Sequence, residues 1–166
     1  MIKKSFWKGF TLGCIILIAT ATLVYSKFIV SPDISLNQLE VLDLKGNNIE
    51  LSEYQGKPLV VNYWATWCAP CLKEFPYFEE VKQRFGDDVN FVMISDETID
   101  KITYFSNSKP YSFNFLKSSK KLSEYGLNEI TALPTTYFYD AQGNLIVKHT
   151  SNLNVESLAE LIKRIK

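Results

Sequence analysis

The sequence predicts an α/β protein: a mixed β-sheet with helices on both faces, preceded by a β-hairpin and interrupted by an extra helix and strand. Three observations point there. Two apolar runs, LVVNY at 59–63 and VNFVMIS at 89–95, are dense enough for central strands covered on both sides. Between them Cys71, Phe75, Phe78, Val81 and Phe85 recur at the 3.6-residue period of one buried helical face. Further on, TTYFYDAQGNLIVKHT reads as strand, Gly-containing turn and strand, followed by an amphipathic helix.

Taken in order, the chain divides into residues 1–30, 31–38 and 39–166. Lys3, Lys4 and Lys8 precede seventeen uncharged residues, GFTLGCIILIATATLVY at 9–25. As a helix these span about 25 Å, just short of a ~30 Å hydrocarbon core. Phe28, Ile29 and Val30 extend the run if Lys27 snorkels to the headgroups. The expectation is a single-pass anchor with its basic flank inside and the remaining chain outside. Two other readings stay open. Ala19-Thr20-Ala21 resembles a signal-peptidase site, although apolar residues continue to Val24. Gly13-Cys14 resembles a lipoprotein site, although the apolar run follows Cys14 instead of preceding it. All of these readings place the domain outside the cytoplasm, where disulfide chemistry is permitted.

SPDISLNQ at 31–38 is a polar linker, and LEVLDLKGNNIEL reads as the hairpin. The helix after the first central strand contains Pro76, expected to kink it, and ends at Gly86. TIDKITYFSNS and SKKLSEYGL are two further predicted helices, with a short strand at SFNFL between them. The final helix is capped by Asn154 and turns Val155, Leu158, Ile162 and Ile165 inward.

Composition narrows the function. The chain is 46% hydrophobic and holds eleven Phe, nine Tyr and three Trp, enough to fill one domain core. Its 18 basic and 18 acidic residues cancel, and without the three N-terminal lysines the remainder is mildly acidic. That argues against nucleic acid as a partner, because phosphates call for a clustered basic surface. There is no Gly-rich phosphate loop, no HExxH zinc motif and a single His.

Chemistry concentrates in ATWCAPCLKEFP, where Cys68 directly follows a predicted central strand and opens a predicted helix. Unpaired amides and the helix dipole favour a thiolate there. A fall in thiol pKa from about 8.5 to about 7 raises the thiolate fraction at pH 7 from roughly 3% to roughly half. Cys71, one turn on, faces the core and reaches back to Cys68, giving an exposed attacking sulfur and a sheltered resolving one. A zinc site needs about four ligands, and this domain offers two Cys and the distant His149. A purely structural disulfide would close too short a loop to constrain much. The residues favour a redox couple that needs no separate cofactor and no metal.

LVVNYWATWCAPC, the KEFP after it and ALPTT at 132–136 carry a resemblance. Residues 39–166 resemble the thioredoxin superfamily and, within it, the membrane-anchored TlpA/ResA group of bacterial thiol–disulfide oxidoreductases. The N-terminal hairpin and the extra segment at 98–116 fit that group. The resemblance implies that Cys68 is the nucleophile, that Cys71 resolves, and that Trp67 packs beside the site. It implies a cis Pro134 that sets the Leu133 backbone against Cys68 to pair with substrate. Ala69 and Pro70 complete the substrate-facing surface and help set the potential, and His149 is given no role.

One departure matters. Thioredoxins proper carry a buried aspartate six residues before the first cysteine, and here that position is Asn62. Glu74 can take over as the proton partner of Cys71. It lies some 60° from Cys71 around the helix, which predicts a half-buried carboxylate with a raised pKa. The resemblance agrees, since ResA-like proteins carry a functional glutamate there.

The expected function is reduction of disulfides in exported proteins, for example apocytochrome c, with re-reduction by a membrane donor of the CcdA/DsbD type. The location implied is the bacterial cytoplasmic membrane with the catalytic domain in the periplasm or extracytoplasmic space. An oxidant that introduces disulfides is the alternative. Copper binding of the Sco type uses CxxxC plus a placed His, and peroxidases use PxxxTxxC; neither pattern is in this sequence.

Overall fold

The computed structural model describes residues 13–18, 20, 36, 39–121, 124 and 132–166. Two compact units are present, Met1–Pro32 and Asp33–Lys166. In the first, residues 13–18 are helical. Among the described residues no helix is long and apolar enough to cross a membrane. Most of the apolar run at 9–25, its lysine flank, all of the linker except Leu36 and most of the predicted helix SKKLSEYGL lie outside the described residues.

The second unit runs β1 (Glu40–Leu42), β2 (Asn48–Glu50), a 3-10 turn (Leu51–Tyr54), β3 (Leu59–Tyr63), α1 (Ala69–Phe85), β4 (Asn90–Ser95), α2 (Ile99–Ser108), β5 (Asn114–Ser118), β6 (Thr135–Tyr139), β7 (Leu145–Thr150) and α3 (Val155–Ile165). The seven strands form one sheet in the order β2-β1-β5-β4-β3-β6-β7. β3, β4 and β5 are mutually parallel, while β6, β7 and the N-terminal hairpin join antiparallel. For the described residues the element order is the one the sequence predicts, and the predicted helix at 119–127 falls mostly outside them. Two 3-10 turns (Leu51–Tyr54 and Gly86–Asp88), β4 starting at Asn90 and β5 lying at Asn114–Ser118 are the differences.

The period of two along each strand splits the core into two layers. Val60, Phe91, Met93, Phe115 and Phe138 share one layer with Phe75, Phe78 and Val81 of α1, Ile102 of α2 and Leu158 and Ile162 of α3. Val61, Tyr63, Val92, Ile94, Leu116, Tyr137 and Tyr139 face the other layer, which Leu36, Leu39, Val41 and Leu51 cover. All three helices of this unit that are described therefore contribute to the same layer.

The two hairpin turns share one pentapeptide pattern, Asp43-Leu44-Lys45-Gly46-Asn47 and Asp140-Ala141-Gln142-Gly143-Asn144. Each Asp accepts from the amide two residues on and from both the backbone N–H and the side-chain amide of the Asn four residues on. Gly46 and Gly143 sit at φ 87° and 83°, which glycine adopts without steric cost.

α1 begins with Pro70 in its first turn, where a missing N–H costs nothing. It holds Pro76 inside and closes on Gly86 at φ 58°. Its buried side, Cys71, Glu74, Phe75, Phe78 and Val81, is the predicted face with Glu74 added and with Phe85 only partly buried at its end.

Candidate active site

The parallel pairing of β3 with β4 sends both strands toward one end of the sheet, the end where helices begin and sites form in such sheets. β3 leaves the sheet at Tyr63, passes through buried Trp64 and Ala65, and reaches Cys68 as the N-cap of α1. The Cys68 Sγ accepts from the Cys71 N–H at 3.3 Å. Cys68 and Cys71 are joined by a disulfide with a Cα–Cα distance of 5.3 Å. Behind it lies an aromatic cluster in which Trp64 contacts Phe75, Phe105 and Phe115.

The expected exposed attacking sulfur is not seen, because both cysteines are buried in the disulfide form. Cys68 is 3% exposed and Cys71 fully buried. Ala69 and Pro70 between them are exposed. Trp67, next to Cys68 in the chain and expected to pack beside the site, is 72% exposed. Leu133 is half-buried, Pro134 is buried, and the Leu133–Pro134 peptide is cis, as the resemblance implied. Because β6 runs antiparallel to β3 with Thr135 opposite Tyr63, this peptide comes to the same end of the sheet as the cysteines.

Glu74 sits deeper than the helical wheel indicates. It is fully buried, not half-buried, because the segment between β7 and α3 packs over that flank of α1 and brings buried Leu153 with it. The Leu153 N–H donates to Glu74 Oε2 at 3.0 Å, and Asn62 Nδ2 donates to Oε1 at 2.9 Å. Asn62 lies opposite Thr136 in the sheet, and its Nδ2 is also 2.9 Å from Thr136 Oγ1. Burial pushes the Glu74 carboxyl up to about 7, with the bonds from Leu153 and Asn62 pulling the other way. A carboxyl with that value gives and takes protons at neutral pH, one helical turn from Cys71.

Two contacts escaped the sequence reading. Glu97, just past the end of β4, accepts from the Thr66 N–H at 2.6 Å and the Thr66 hydroxyl at 2.9 Å, fixing the segment that leads into Cys68. Its position after a central parallel strand was the available signal. Asn152 Nδ2 donates to the Pro70 carbonyl at 2.6 Å, and nothing local in the sequence announces it. His149 Nε2 lies 3.1 Å from Ser151 Oγ. Among the described residues no three His, Cys, Asp or Glu side chains gather to hold a metal.

A CxxC disulfide at the start of the helix that follows the central strand, on a sheet of this topology, defines a thioredoxin-fold thiol–disulfide oxidoreductase. The chain belongs to the AhpC/TSA family, which it matches over residues 30–148, and is of the ResA type. It is 31% identical over 129 residues to the thiol-disulfide oxidoreductase ResA of Bacillus thuringiensis subsp. konkukian (strain 97-27), covering 75% of this chain and 73% of that protein. ResA of Halalkalibacterium halodurans is 25% identical over 170 residues, 99% of this chain and 97% of that one. Among solved structures, the pneumococcal exposed lipoprotein thioredoxin of Streptococcus pneumoniae strain TIGR4 superposes with a TM-score of 0.61 at 25% identity, covering 75% of this chain and 97% of that one.

Proposed function

We propose that this enzyme is a reductant of disulfides in exported proteins, held at the outer side of the cytoplasmic membrane by residues 1–30, with 31–38 as linker and 39–166 as the catalytic domain. The observation that carries the reading is Glu74, a buried carboxyl pushed up to about 7 within a turn of the disulfide. In the reduced enzyme the Cys68 thiolate attacks one sulfur of the substrate disulfide and expels the other as a thiolate. A mixed disulfide forms. The Cys71 thiol passes its proton to the Glu74 carboxylate, and the Cys71 thiolate attacks Cys68 Sγ. The Cys68–Cys71 bond forms, the second substrate thiolate leaves, and two electrons have moved to the substrate. Two protons, one of them released from Glu74, complete its thiols.

Trp67, Ala69 and Pro70 are the exposed surface that meets the substrate, and Leu133 beside Pro134 offers the backbone for an extended partner chain. Apocytochrome c awaiting haem is the substrate class that the family resemblance suggests, and a CcdA/DsbD-type membrane protein the electron donor. The likeness to ResA proteins and to an exposed lipoprotein supports the location.

The test is the equilibrium midpoint potential of the full-length chain. Thiol–disulfide folds of this kind span about −270 to −120 mV. A value toward the low end is expected of a reductant. A value near −120 mV would reverse the direction and make the protein an oxidant.

A further inference from the structure

The segment between β7 and α3 carries three features that the reaction above does not use. Ser151 has φ 142° and is the only non-glycine residue with positive φ among the described residues. Such a conformation persists where the surroundings hold it, and it is concentrated at functional sites. Asn152 Nδ2 donates to the carbonyl of Pro70, a residue between the two cysteines. The next residue, Leu153, gives its N–H to Glu74 Oε2. Directly after Ser151, two consecutive residues thus touch the redox loop and the buried carboxylate in turn.

We propose that Asn152 is a positioning residue of the redox site, pinning residues 151–153 to the Pro70 carbonyl so that the Leu153 N–H stays on Glu74 and governs its proton exchange with Cys71. The buried Leu153 side chain anchors its own Cα but not the peptide plane before it. That plane carries the N–H and is hinged at the Asn152 and Leu153 Cα atoms, so its placement follows both residues. The amide clamp of Asn152 holds the first of these hinges against the Pro70 carbonyl. An N–H donor favours the charged carboxylate, so losing it keeps the proton on Glu74 to higher pH. Facing Glu74 are the neutral Asn62 from β3, the Leu153 N–H from this segment and Cys71 on its own helix. Thr136 of β6 reaches it through Asn62, and His149 at the end of β7 reaches the segment through Ser151.

This inference rests on Glu74 being the proton partner of Cys71. The test follows the Glu74 carboxyl carbon by 13C NMR against pH in the full-length protein, alongside the pH profile of mixed-disulfide resolution. Asn152→Ala is expected to raise the Glu74 midpoint by ~0.5–1 pH unit and to slow resolution about two- to five-fold at pH 7. It should not slow Glu74→Gln further, and the midpoint shift should persist in His149→Gln. An unmoved midpoint overturns the proposal. So does an equal slowing in the Glu74→Gln background, or a shift that vanishes with His149→Gln. If Glu74→Gln alone leaves the profile unchanged, the reading of Glu74 itself fails, a result separate from any shift caused at Asn152.

Discussion

Glu74 in α1 and Asp43 in the first hairpin turn are both carboxylates held by neutral hydrogen-bond donors, and their pKa values are displaced in opposite directions. Asp43 accepts three bonds at 2.8 Å from Lys45 and Asn47 at the protein surface. The Asn47 side chain and backbone hold its carboxyl below the ordinary value. Glu74 accepts bonds from Asn62 and Leu153 of similar length, yet burial lifts it to about 7. Hydrogen bonds stabilise both anions. What differs is water: the turn keeps it and the flank of α1 excludes it, and desolvation outweighs two neutral donors. The turn fixes a shape, whereas the buried site holds a proton that can move.

The largest expected consequence of that contrast is in stability. The folded-state pKa of Glu74 lies above its unfolded value, so the native state binds the extra proton between about pH 4.5 and 7. Stability should fall as pH rises through this window, by ~3 kcal/mol at most. Urea denaturation of the oxidised protein from pH 4.5 to 8 measures this, and Glu74→Gln should flatten the curve. A curve equally steep in the variant would assign the proton elsewhere.

Next in size is the rate. Glu74→Gln should slow the attack of Cys71 on the mixed disulfide about 100-fold at pH 7, the lower range for a positioned base. Rapid acid quenching after mixing with a protein disulfide reads it as accumulated Cys68 adduct. Resolution at the wild-type rate would make Glu74 a structural acid only. Asn62→Ala removes one of the two donors and should move the Glu74 midpoint up by ~1 unit, read by 13C NMR. A downward shift would mean that Asn62 does not support the anion. The smallest effect belongs to the surface. Asp43→Asn should lower Tm by only a few degrees, and the difference should disappear as pH falls below the Asp43 pKa, where wild type loses the same charge. A loss that persists in acid would point to shape alone.

Much of the site was legible because its signals are local. Cys68 at a strand-to-helix junction, Cys71 one turn on and Glu74 on an adjoining helical position follow from periods of two and 3.6 residues. The twin Asp-x-x-Gly-Asn turns are equally local. Contacts that join distant segments carry no such signal. Thr66 meets Glu97 across 31 residues and Asn152 meets Pro70 across 82. The depth of Glu74 belongs to the same kind, because a wheel drawn for α1 knows nothing of Leu153, 79 residues away, closing over it. Asn62 shows the boundary: its place on a central strand was readable, but its bond to Glu74 required the register of β3 against α1.

The most direct test of this account is the ionisation of Glu74 in the oxidised wild-type protein, followed by the 13C shift of its carboxyl carbon from pH 3 to 9. One midpoint near 7 is expected. A midpoint at or below the ordinary glutamate value of 4.5 would show a carboxylate as well stabilised as Asp43, and would remove Glu74 as the proton partner of Cys71.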